Sequence, residues 1–262
     1  MSDLPRLVVV GGGNMGAALV GGLVDGGWDP RSICVVEIDP AKCESLSASL
    51  GVAVSTDIVA AEGAVVAVKP ADVAGVSAAL AALGTRRIVS IAAGVTLAAL
   101  ETAAPSARIV RAMPNTPALV GEGVTAISAG SVCDEDDMAW AESVLSAVGM
   151  VVRVPESQMD AVTAVAGSGP GYLFLFAEAL LATAIDEGLP SDVADALVRQ
   201  LFKGAGALLA DSTESPAVLR ERVTSPNGTT AAGLAQFEAA GLRDIVANAV
   251  RAAAARSREM GR

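Results

Sequence analysis

Short apolar runs alternate with Ala- and Leu-rich helical segments up to about Pro155. The runs predict strands, because strands that are buried on both faces of a sheet read as continuous apolar segments. The predicted strands are Leu7–Val10, Ile33–Ile38, Val65–Val68, Ile88–Ile91, Ile109–Val110, Val124–Ser128 and Met150–Val154. The helices predicted between them are Met15–Asp25, Pro40–Leu50, Ala71–Leu83, Leu97–Thr102 and Asp134–Val148. This order indicates an α/β domain with a doubly wound parallel sheet that is covered on both faces.

After Pro155 the strand-like runs end and helical periodicity continues. We predict helices that are broken at Gly188-Leu189-Pro190 and at Pro226-Asn227-Gly228. They are Ser157–Val165, Gly171–Glu187, Ser191–Leu209, Ala217–Val223, Thr230–Ala240 and Leu242–Arg258. The sequence therefore predicts two domains, an α/β domain over residues 1–155 and an all-α C-terminal domain over residues 156–262.

The helical half is strongly apolar. Its longest apolar tract, Thr163–Ile185, is interrupted by Gly167–Gly171 and by Glu178, which predicts a buried helix after a loop rather than a membrane span. A small helical domain of this composition is expected to bury part of its surface against another subunit. We therefore expect a homo-oligomer, either a dimer or a higher assembly of dimers, and no membrane partner.

Composition narrows the possible chemistry. The 262 residues are 52% hydrophobic and 18% charged, which allows a large core and argues against global disorder. A net charge of −11 disfavours nucleic acid as a partner, since phosphate binding needs Lys and Arg. The chain has no histidine and its three cysteines lack CxxC spacing, so we expect neither a metal site nor a disulfide framework. No basic segment precedes an apolar stretch at the N-terminus, and we expect a cytoplasmic protein.

A glycine-rich turn follows the first predicted strand and opens the first predicted helix. It reads Gly11-Gly12-Gly13-Asn14-Met15-Gly16. Such glycines allow a tight turn, close approach to a pyrophosphate, and close packing of helix on strand. The sequence therefore predicts a Rossmann-type dinucleotide site at these six residues. A methyltransferase that binds a nucleoside with a similar turn is the alternative.

Two acidic residues follow the second predicted strand. Glu37 and Asp39 lie where an acid can accept hydrogen bonds from a ribose 2′-hydroxyl. A 2′-phosphate there would meet like charge, and only Lys42 is near enough in sequence to offset it. These residues favour NADH, although both NADPH and NADH stay open as cofactors.

A second loop with binding potential lies in the helical half. Thr224-Ser225-Pro226-Asn227-Gly228-Thr229-Thr230 runs directly into an amphipathic helix. The N–H groups at a helix N-terminus bind anions well, which predicts an anion site in this loop. A capped surface helix is the plain alternative, because Ser, Thr and Asn cap helices widely.

The stretch from Pro216 to Glu238 resembles the signature of the pyrroline-5-carboxylate reductase family. Four further motifs resemble this family in order and in spacing. They are Ala67-Val68-Lys69-Pro70, Ala92-Ala93-Gly94-Val95, Arg111-Ala-Met-Pro-Asn115-Thr-Pro117 and Gly167-Ser168-Gly-Pro-Gly-Tyr172. The resemblance runs from about residue 6 to residue 258 and implies reduction of a cyclic imine to L-proline by NADPH or NADH.

The resemblance also implies roles for individual residues. Those implied to line the cofactor are Ala67, Val68, Lys69, Pro70, Ala92, Ala93, Gly94 and Asn115. Those implied to bind the substrate carboxylate are Ser225, Gly228, Thr229 and Thr230, of which Thr230 also reaches the substrate nitrogen. Glu156 is implied to be an acid near that nitrogen, with Ser168 close by.

Several of these residues have simpler readings. Lys69 also fits a solvated charge at a strand end, Asn115 a plain turn residue, and Ser168 a helix cap. Arg222 falls where family members sometimes touch the nucleotide, and a surface arginine fits equally well.

The chain departs from the family pattern at three positions. Ala166 replaces a usual serine, so a hydroxyl is absent there. Asn227 replaces a frequent glycine, which a residue that tolerates left-handed geometry can do. Ile58 stands where members often have asparagine, so one nucleotide contact is in doubt.

The expected reaction needs few titratable groups, because an iminium is already an electrophile and the cofactor carries the hydride. Two other readings stay open, a related reductase of another imine or of a hydroxy acid and a non-catalytic nucleotide sensor. A short-chain dehydrogenase needs Tyr-x-x-x-Lys, and the only tyrosine, Tyr172, is followed four positions later by Phe176.

Overall fold

The computed structural model describes residues 4–261, so the termini of the predicted domains, residues 1–3 and 262, lie outside the described residues. The chain divides into two compact units. The first comprises the residues up to Ser168 together with those from Ala252 onward, and the second is Gly169–Arg251. The segment between Glu156 and Ser168 thus packs with the sheet unit.

The first unit is built on an eight-stranded sheet with the order β3-β2-β1-β4-β5-β6-β7-β8. The strands are β1 (Leu7–Val10), β2 (Ile33–Val36), β3 (Ala53–Ser55), β4 (Gly63–Val66), β5 (Arg87–Ser90), β6 (Arg108–Met113), β7 (Gly123–Ala129) and β8 (Gly149–Arg153). Neighbouring strands are parallel except β6 and β7. The predicted doubly wound α/β fold is confirmed, and the strand order reverses direction between β1 and β4.

The antiparallel pair has a local cause. A single short 3₁₀ segment, Thr116–Val120, joins β6 to β7, whereas a parallel return needs a crossover of a dozen or more residues. The next connection contains a full helix, and β8 accordingly returns parallel to β7.

Helices cover both faces of the sheet. They are α1 (Asn14–Asp25), α2 (Pro40–Leu50), α3 (Val73–Ala82), α4 (Leu97–Ala103), α5 (Glu135–Leu145) and α6 (Met159–Val162). Alternate residues of β1 enter two separate apolar clusters, Val9 with Leu19 on one face and Val8 with Leu80 on the other. Burial on both faces is why the strands read as continuous apolar runs.

The second unit is helical, as predicted. It contains α7 (Gly169–Asp186), α8 (Ser191–Asp211), α9 (Pro216–Arg222), α10 (Thr229–Ala239) and the first part of α11 (Leu242–Met260). Phe176 packs against Phe202 and Phe237, with ring centroids 6.3 and 5.9 Å apart. No strand lies after Arg153 in the described part of the chain.

Three expectations were wrong. Strand β3 was not predicted; it is a short edge strand whose residues are partly or fully exposed, so it lacks a continuous buried run. The predicted loop at Gly167–Gly171 is helical, because a π-helical turn over Thr163–Gly167 leads almost directly into α7. Pro170 is compatible with that start, since the first turn of a helix needs no N–H from it.

The third error concerns burial. Helix α7 was expected to be buried, yet none of its residues is buried in the single chain. Leu173, Phe174 and Leu175 are 56%, 67% and 66% exposed. By length and composition the continuous helical stretch Glu156–Asp186 could cross a membrane. A helix whose apolar surface finds no cover within its own chain must find it elsewhere.

Candidate active site

The glycine turn between β1 and α1 has the geometry of a pyrophosphate loop. Gly11 adopts a left-handed φ of +109°, and a Cβ there would lie 2.5 Å from the Ala67 carbonyl oxygen. A Cβ on Gly16 would clash with the Gly11 carbonyl. In the described part of the chain, no atom beyond the adjacent residues lies within 4 Å of the position of a Cβ on Gly13. The fold thus explains Gly11 and Gly16, whereas the space at Gly13 is left for a ligand.

The N-terminus of α1 opens onto the same space. Gly13 is its N-cap and makes no side-chain cap, and the first turn carries no acidic residue. The amides of Asn14 and Met15 therefore have no intrahelical acceptor and can donate to an anion. This arrangement fits the pyrophosphate of a dinucleotide.

Glu37 and Asp39 occupy different environments beside this loop. The Glu37 carboxylate is buried and accepts hydrogen bonds from the amides of Gly12 at 3.0 Å, Ile38 at 2.8 Å and Asp39 at 3.0 Å. Asp39 caps α2, its Oδ1 accepting from the Ala41 amide at 3.0 Å. Both acids thus lie at the carboxyl end of β2.

The Ala67–Pro70 segment follows β4 at the point where the strand order reverses. The Ala67 amide donates to the Val10 carbonyl at 2.8 Å, which holds this segment against the end of β1. Lys69 is exposed and precedes a 3₁₀ turn that begins at Pro70. Among residues 4–261 no acidic group forms an ion pair with Lys69, so its ammonium is available to a phosphate.

The Ala92–Gly94 turn follows β5 and lies against the C-terminal end of α11. Gly94 is left-handed, with φ +77°, and a Cβ there would lie 3.0 Å from the Cβ of Met260 near the end of α11. Ser257, on the last turns of α11, donates to Asp160 Oδ1 at 2.6 Å. Sequence reasoning did not find this contact, because nothing local in Ser257–Met260 indicates its partner.

Asn115 is neither exposed nor a plain turn residue. It is buried; its Nδ2 donates to the Ala166 carbonyl at 3.1 Å and its Oδ1 accepts from the Val124 amide at 2.9 Å. The side chain therefore joins the start of β7 to the π-helical turn. Ala166 contributes its backbone carbonyl to this join.

Glu156 makes two structural hydrogen bonds. Its Oε1 accepts from the Leu97 amide at 2.6 Å and from Arg111 Nη1 at 2.8 Å. Arg111 is almost fully buried, with a side chain 8% exposed, while that of Glu156 is 34% exposed. The carboxylate thus joins the end of β6 to the first turn of α4. The sequence had singled out Arg111 only as part of a motif.

Ser168 closes the π-helical turn. Its amide and its Oγ both donate to the Thr163 carbonyl, at 2.8 and 3.1 Å. Its hydroxyl hydrogen is therefore used on the turn that precedes α7. Ile58, where the family often has asparagine, packs against one of the two apolar clusters of the sheet.

The loop before α10 lies in the second unit. Gly228 is the N-cap of α10, has an extended backbone and makes no side-chain cap. A Cβ on Gly228 would lie 2.4 Å from the Ser225 hydroxyl oxygen and 3.1 Å from the Ser225 carbonyl oxygen, so the loop is closely packed at this glycine. Asn227 is the one non-glycine residue with positive φ in the described chain, at 59°, which confirms its left-handed geometry.

This loop leaves donors free at the helix start. Thr229 and Thr230 are the first two residues of α10, so Thr230 is not its N-cap. The first amides of α10 have no intrahelical acceptor and no capping side chain, which suits them to bind a carboxylate.

Arg222 and Glu214 form an ion pair in the same unit. The charge of Arg222 therefore has a partner within the unit, and no nucleotide contact is needed to explain this residue. The other oxygen of Glu214, Oε2, is buried and has no hydrogen-bond partner in the described chain. No motif pointed to Glu214.

Known proteins resemble this chain along its whole length. Residues 156–260 match the family model described as pyrroline-5-carboxylate reductase dimerisation, and residues 6–94 match one described as NADP oxidoreductase, coenzyme F420-dependent. The pyrroline-5-carboxylate reductase of Synechocystis is 43% identical, covering 98% of both chains. That of Mycobacterium leprae is 39% identical, covering 99% of this chain and 98% of its own.

Solved structures agree. A pyrroline-5-carboxylate reductase from Coxiella burnetii superposes with a TM-score of 0.93 at 36% identity, covering 99% of this chain and 100% of its own. The Plasmodium falciparum enzyme with NADP bound gives a TM-score of 0.85 at 27% identity and covers both chains fully. This chain therefore belongs to the pyrroline-5-carboxylate reductase family of NAD(P)H-dependent oxidoreductases.

Proposed function

We propose that this chain reduces the C=N bond of 1-pyrroline-5-carboxylate to L-proline with the residues described above. One observation carries the proposal: the glycine turn and the Thr224–Thr230 loop, the two loops that the sequence singles out, each run into a helix start without a side-chain cap, α1 and α10. The first fits a dinucleotide and the second a small carboxylate. A nucleotide sensor would need only the first.

The first unit is proposed to hold the cofactor. The amides after Gly13 receive the pyrophosphate, Lys69 supplies a positive charge, and Glu37 accepts from the ribose. The turns at Ala67–Pro70 and Ala92–Gly94 line the cofactor with backbone. When bound, NAD(P)H supplies the hydride that reaches the imine carbon.

The α10 loop is proposed to hold the substrate carboxylate. The amides of Thr229 and Thr230 donate to it, and Gly228 and Ser225 shape the loop around it. Thr230 stands at the second helical position, where its hydroxyl is not used as the N-cap. We assign this hydroxyl to the substrate nitrogen, which gains a proton overall when the C=N bond is reduced.

We assign Glu156, Asn115 and Ser168 mainly to positioning. Each makes hydrogen bonds to neighbouring backbone or to Arg111. Glu156 retains a second carboxylate oxygen for the substrate role that the family resemblance implies. Its first oxygen is committed to Arg111 and to the start of α4.

The exposed apolar surface of the second unit is proposed to be a subunit interface. The matched dimerisation family model supports an oligomer, and we propose a dimer or a higher assembly of dimers rather than a membrane partner. We also propose a cytoplasmic location, which fits three free cysteines, Cys34, Cys43 and Cys133.

The proposal is tested by following absorbance at the nicotinamide band. Purified protein should oxidise NADH or NADPH when 1-pyrroline-5-carboxylate is added, and not without it. A 3-hydroxy acid with NAD⁺ or NADP⁺ is the control for the related hydroxy-acid reductases. Turnover of the 3-hydroxy acid without any turnover of 1-pyrroline-5-carboxylate would contradict the proposal.

A further inference from the structure

We propose that this chain selects NADH over NADPH and that the Glu37 carboxylate makes the selection. The inference rests on the proposed function, which places a nicotinamide dinucleotide at the glycine turn. It adds which of the two dinucleotides binds, and it assigns the choice to one fixed side chain.

Hydrogen bonds from the backbone hold Glu37 in place. Three backbone amides donate to its carboxylate, one from the glycine turn at Gly12 and two from Ile38 and Asp39. The side chain is only 9% exposed. Swinging it away from the glycine turn would leave three donors unsatisfied, and each lost partner is costly in a buried setting. The carboxylate is therefore held in a fixed position beside the cofactor loop.

The surroundings offset the charge of Glu37 only in part. Lys42 Nζ lies 4.0 Å from Glu37 Oε2 on a side chain that is 51% exposed. Asp39 adds another negative charge two residues after Glu37. Glu37, Asp39 and Lys42 together carry a net charge of −1, since two acids face one base.

Ile38 lies between the two acids in the chain. Its side chain is 81% exposed and offers no hydrogen-bond donor. A 2′-phosphate needs donors or cations, because it carries between one and two negative charges at neutral pH. A 2′-hydroxyl needs only an acceptor, and a fixed carboxylate is a good one. The local chemistry thus suits a ribose with a free 2′-hydroxyl.

The structure also separates the two acids. Asp39 uses one oxygen to cap α2, an ordinary task for Asp at this position. Glu37 is bonded directly to the glycine turn. We therefore expect Glu37 to contribute more to selection than Asp39.

The kinetic test compares kcat/KM for NADH and for NADPH with 1-pyrroline-5-carboxylate as substrate. The unmodified protein should prefer NADH by at least about tenfold at low ionic strength, and added salt should reduce the preference. Glu37→Gln should lower the ratio several-fold, and Asp39→Asn should lower it less. Glu62→Gln is the matched control, because it removes one negative charge from an exposed residue. Glu62 lies just before the amino end of β4, whereas Glu37 lies at the carboxyl end of β2.

The binding test does not depend on turnover. NAD⁺ and NADP⁺ differ only in the 2′-phosphate, and calorimetry with the unmodified protein should show NAD⁺ binding about tenfold more tightly. In Glu37→Gln the ratio of the two affinities should fall, because NAD⁺ loses a charged acceptor for its 2′-hydroxyl and NADP⁺ no longer meets that negative charge.

Equal or tighter binding of NADP⁺ than of NAD⁺ by the unmodified protein would overturn the inference. An NADH to NADPH ratio of kcat/KM that Glu37→Gln leaves unchanged would also overturn it. So would a ratio that Glu62→Gln lowers as much as Glu37→Gln does. If neither reduced cofactor is oxidised, the proposed function fails while the NAD⁺ and NADP⁺ affinities still decide the inference.

Discussion

Among single residues, two side chains that the family motifs assign to the substrate make different contacts, each within its own unit. One carboxylate oxygen of Glu156 accepts hydrogen bonds from Arg111 and from the Leu97 amide. Thr230 lies in the first turn of α10, which has no side-chain cap, and is not the N-cap residue. The sequence identified both residues through family motifs. It could not show that Glu156 is tied to β6 and α4, because those partners are distant in the chain.

Thr230→Ala is predicted to lower kcat/KM for 1-pyrroline-5-carboxylate with little change in cofactor affinity. One hydrogen bond to a charged group contributes roughly 1.5–3 kcal/mol, which corresponds to about 10- to 150-fold. Thr230→Ser keeps the hydroxyl and should retain most of the activity. Normal kinetics for Thr230→Ala together with a lower Tm would reduce Thr230 to a structural residue.

Asp137 is predicted to stabilise the first unit in a pH-dependent way. Burial raises its pKa, but hydrogen bonds from the Asp134 amide, Arg108 and Arg87 outweigh this and lower the pKa from 3.8 to about 2. Because the folded pKa is the lower one, the stabilisation is present above pH 4 and is lost as pH falls towards 2. It amounts to about 2 kcal/mol.

The measurement is the free energy of unfolding of Asp137→Asn and of the unmodified protein from pH 6 to pH 2. The difference between them should shrink at low pH. Asp136→Asn, an exposed neighbour in the same helical turn, should show a small and nearly constant difference. A pH-independent penalty for Asp137→Asn would contradict the assignment.

At the scale of elements, the chain's pattern predicted nearly every strand and helix, and the exceptions have physical causes. Strand β3 lacks the buried apolar run of the central strands. The Gly167–Gly171 segment contains the residues of a turn, yet Ser168 and Pro170 are both compatible with a helix. A glycine permits a turn without requiring one, so local sequence does not decide such cases.

The glycine turn provides a prediction at this scale. Gly13→Ala adds a methyl group where no protein atom lies within 4 Å, at an ordinary φ of −70°. We expect a small change in Tm but NAD⁺ binding weakened about tenfold or more, because the methyl occupies the space for the pyrophosphate.

Gly75→Ala is the control for this prediction. It also adds a methyl group in open space, in the interior of α3. Its NAD⁺ affinity should stay unchanged. Unaltered NAD⁺ binding by Gly13→Ala would place the pyrophosphate elsewhere.

At the scale of the whole molecule, the second unit cannot be understood as a single chain. The apolar composition of this unit predicted a partner subunit. Only the structure shows that the apolar side chains of α7 are left unburied by the chain itself. The exposure of α7 also explains why the expectation of a buried helix was wrong within one chain. A helix that is buried by its own chain and a helix that is buried by another subunit have the same apolar sequence pattern.

Phe174→Glu is therefore predicted to disrupt assembly, because Phe174 is 67% exposed in the single chain. Light scattering at micromolar concentration should give at least a dimer for the unmodified protein and a smaller species for the variant. Leu119→Glu, at a residue of the first unit that is 53% exposed, should leave the mass unchanged. A fully active monomer of the unmodified chain would refute the interface.

Hydride transfer from the cofactor to the imine carbon of a cyclic imino acid can be followed with an isotope label. The protein is incubated with 1-pyrroline-5-carboxylate and NADH that carries deuterium at the transferred C4 position, and the product is analysed by mass spectrometry and NMR. We predict L-proline with one deuterium at C5. Proline without deuterium, or cofactor oxidation without proline, would contradict this account of the chain.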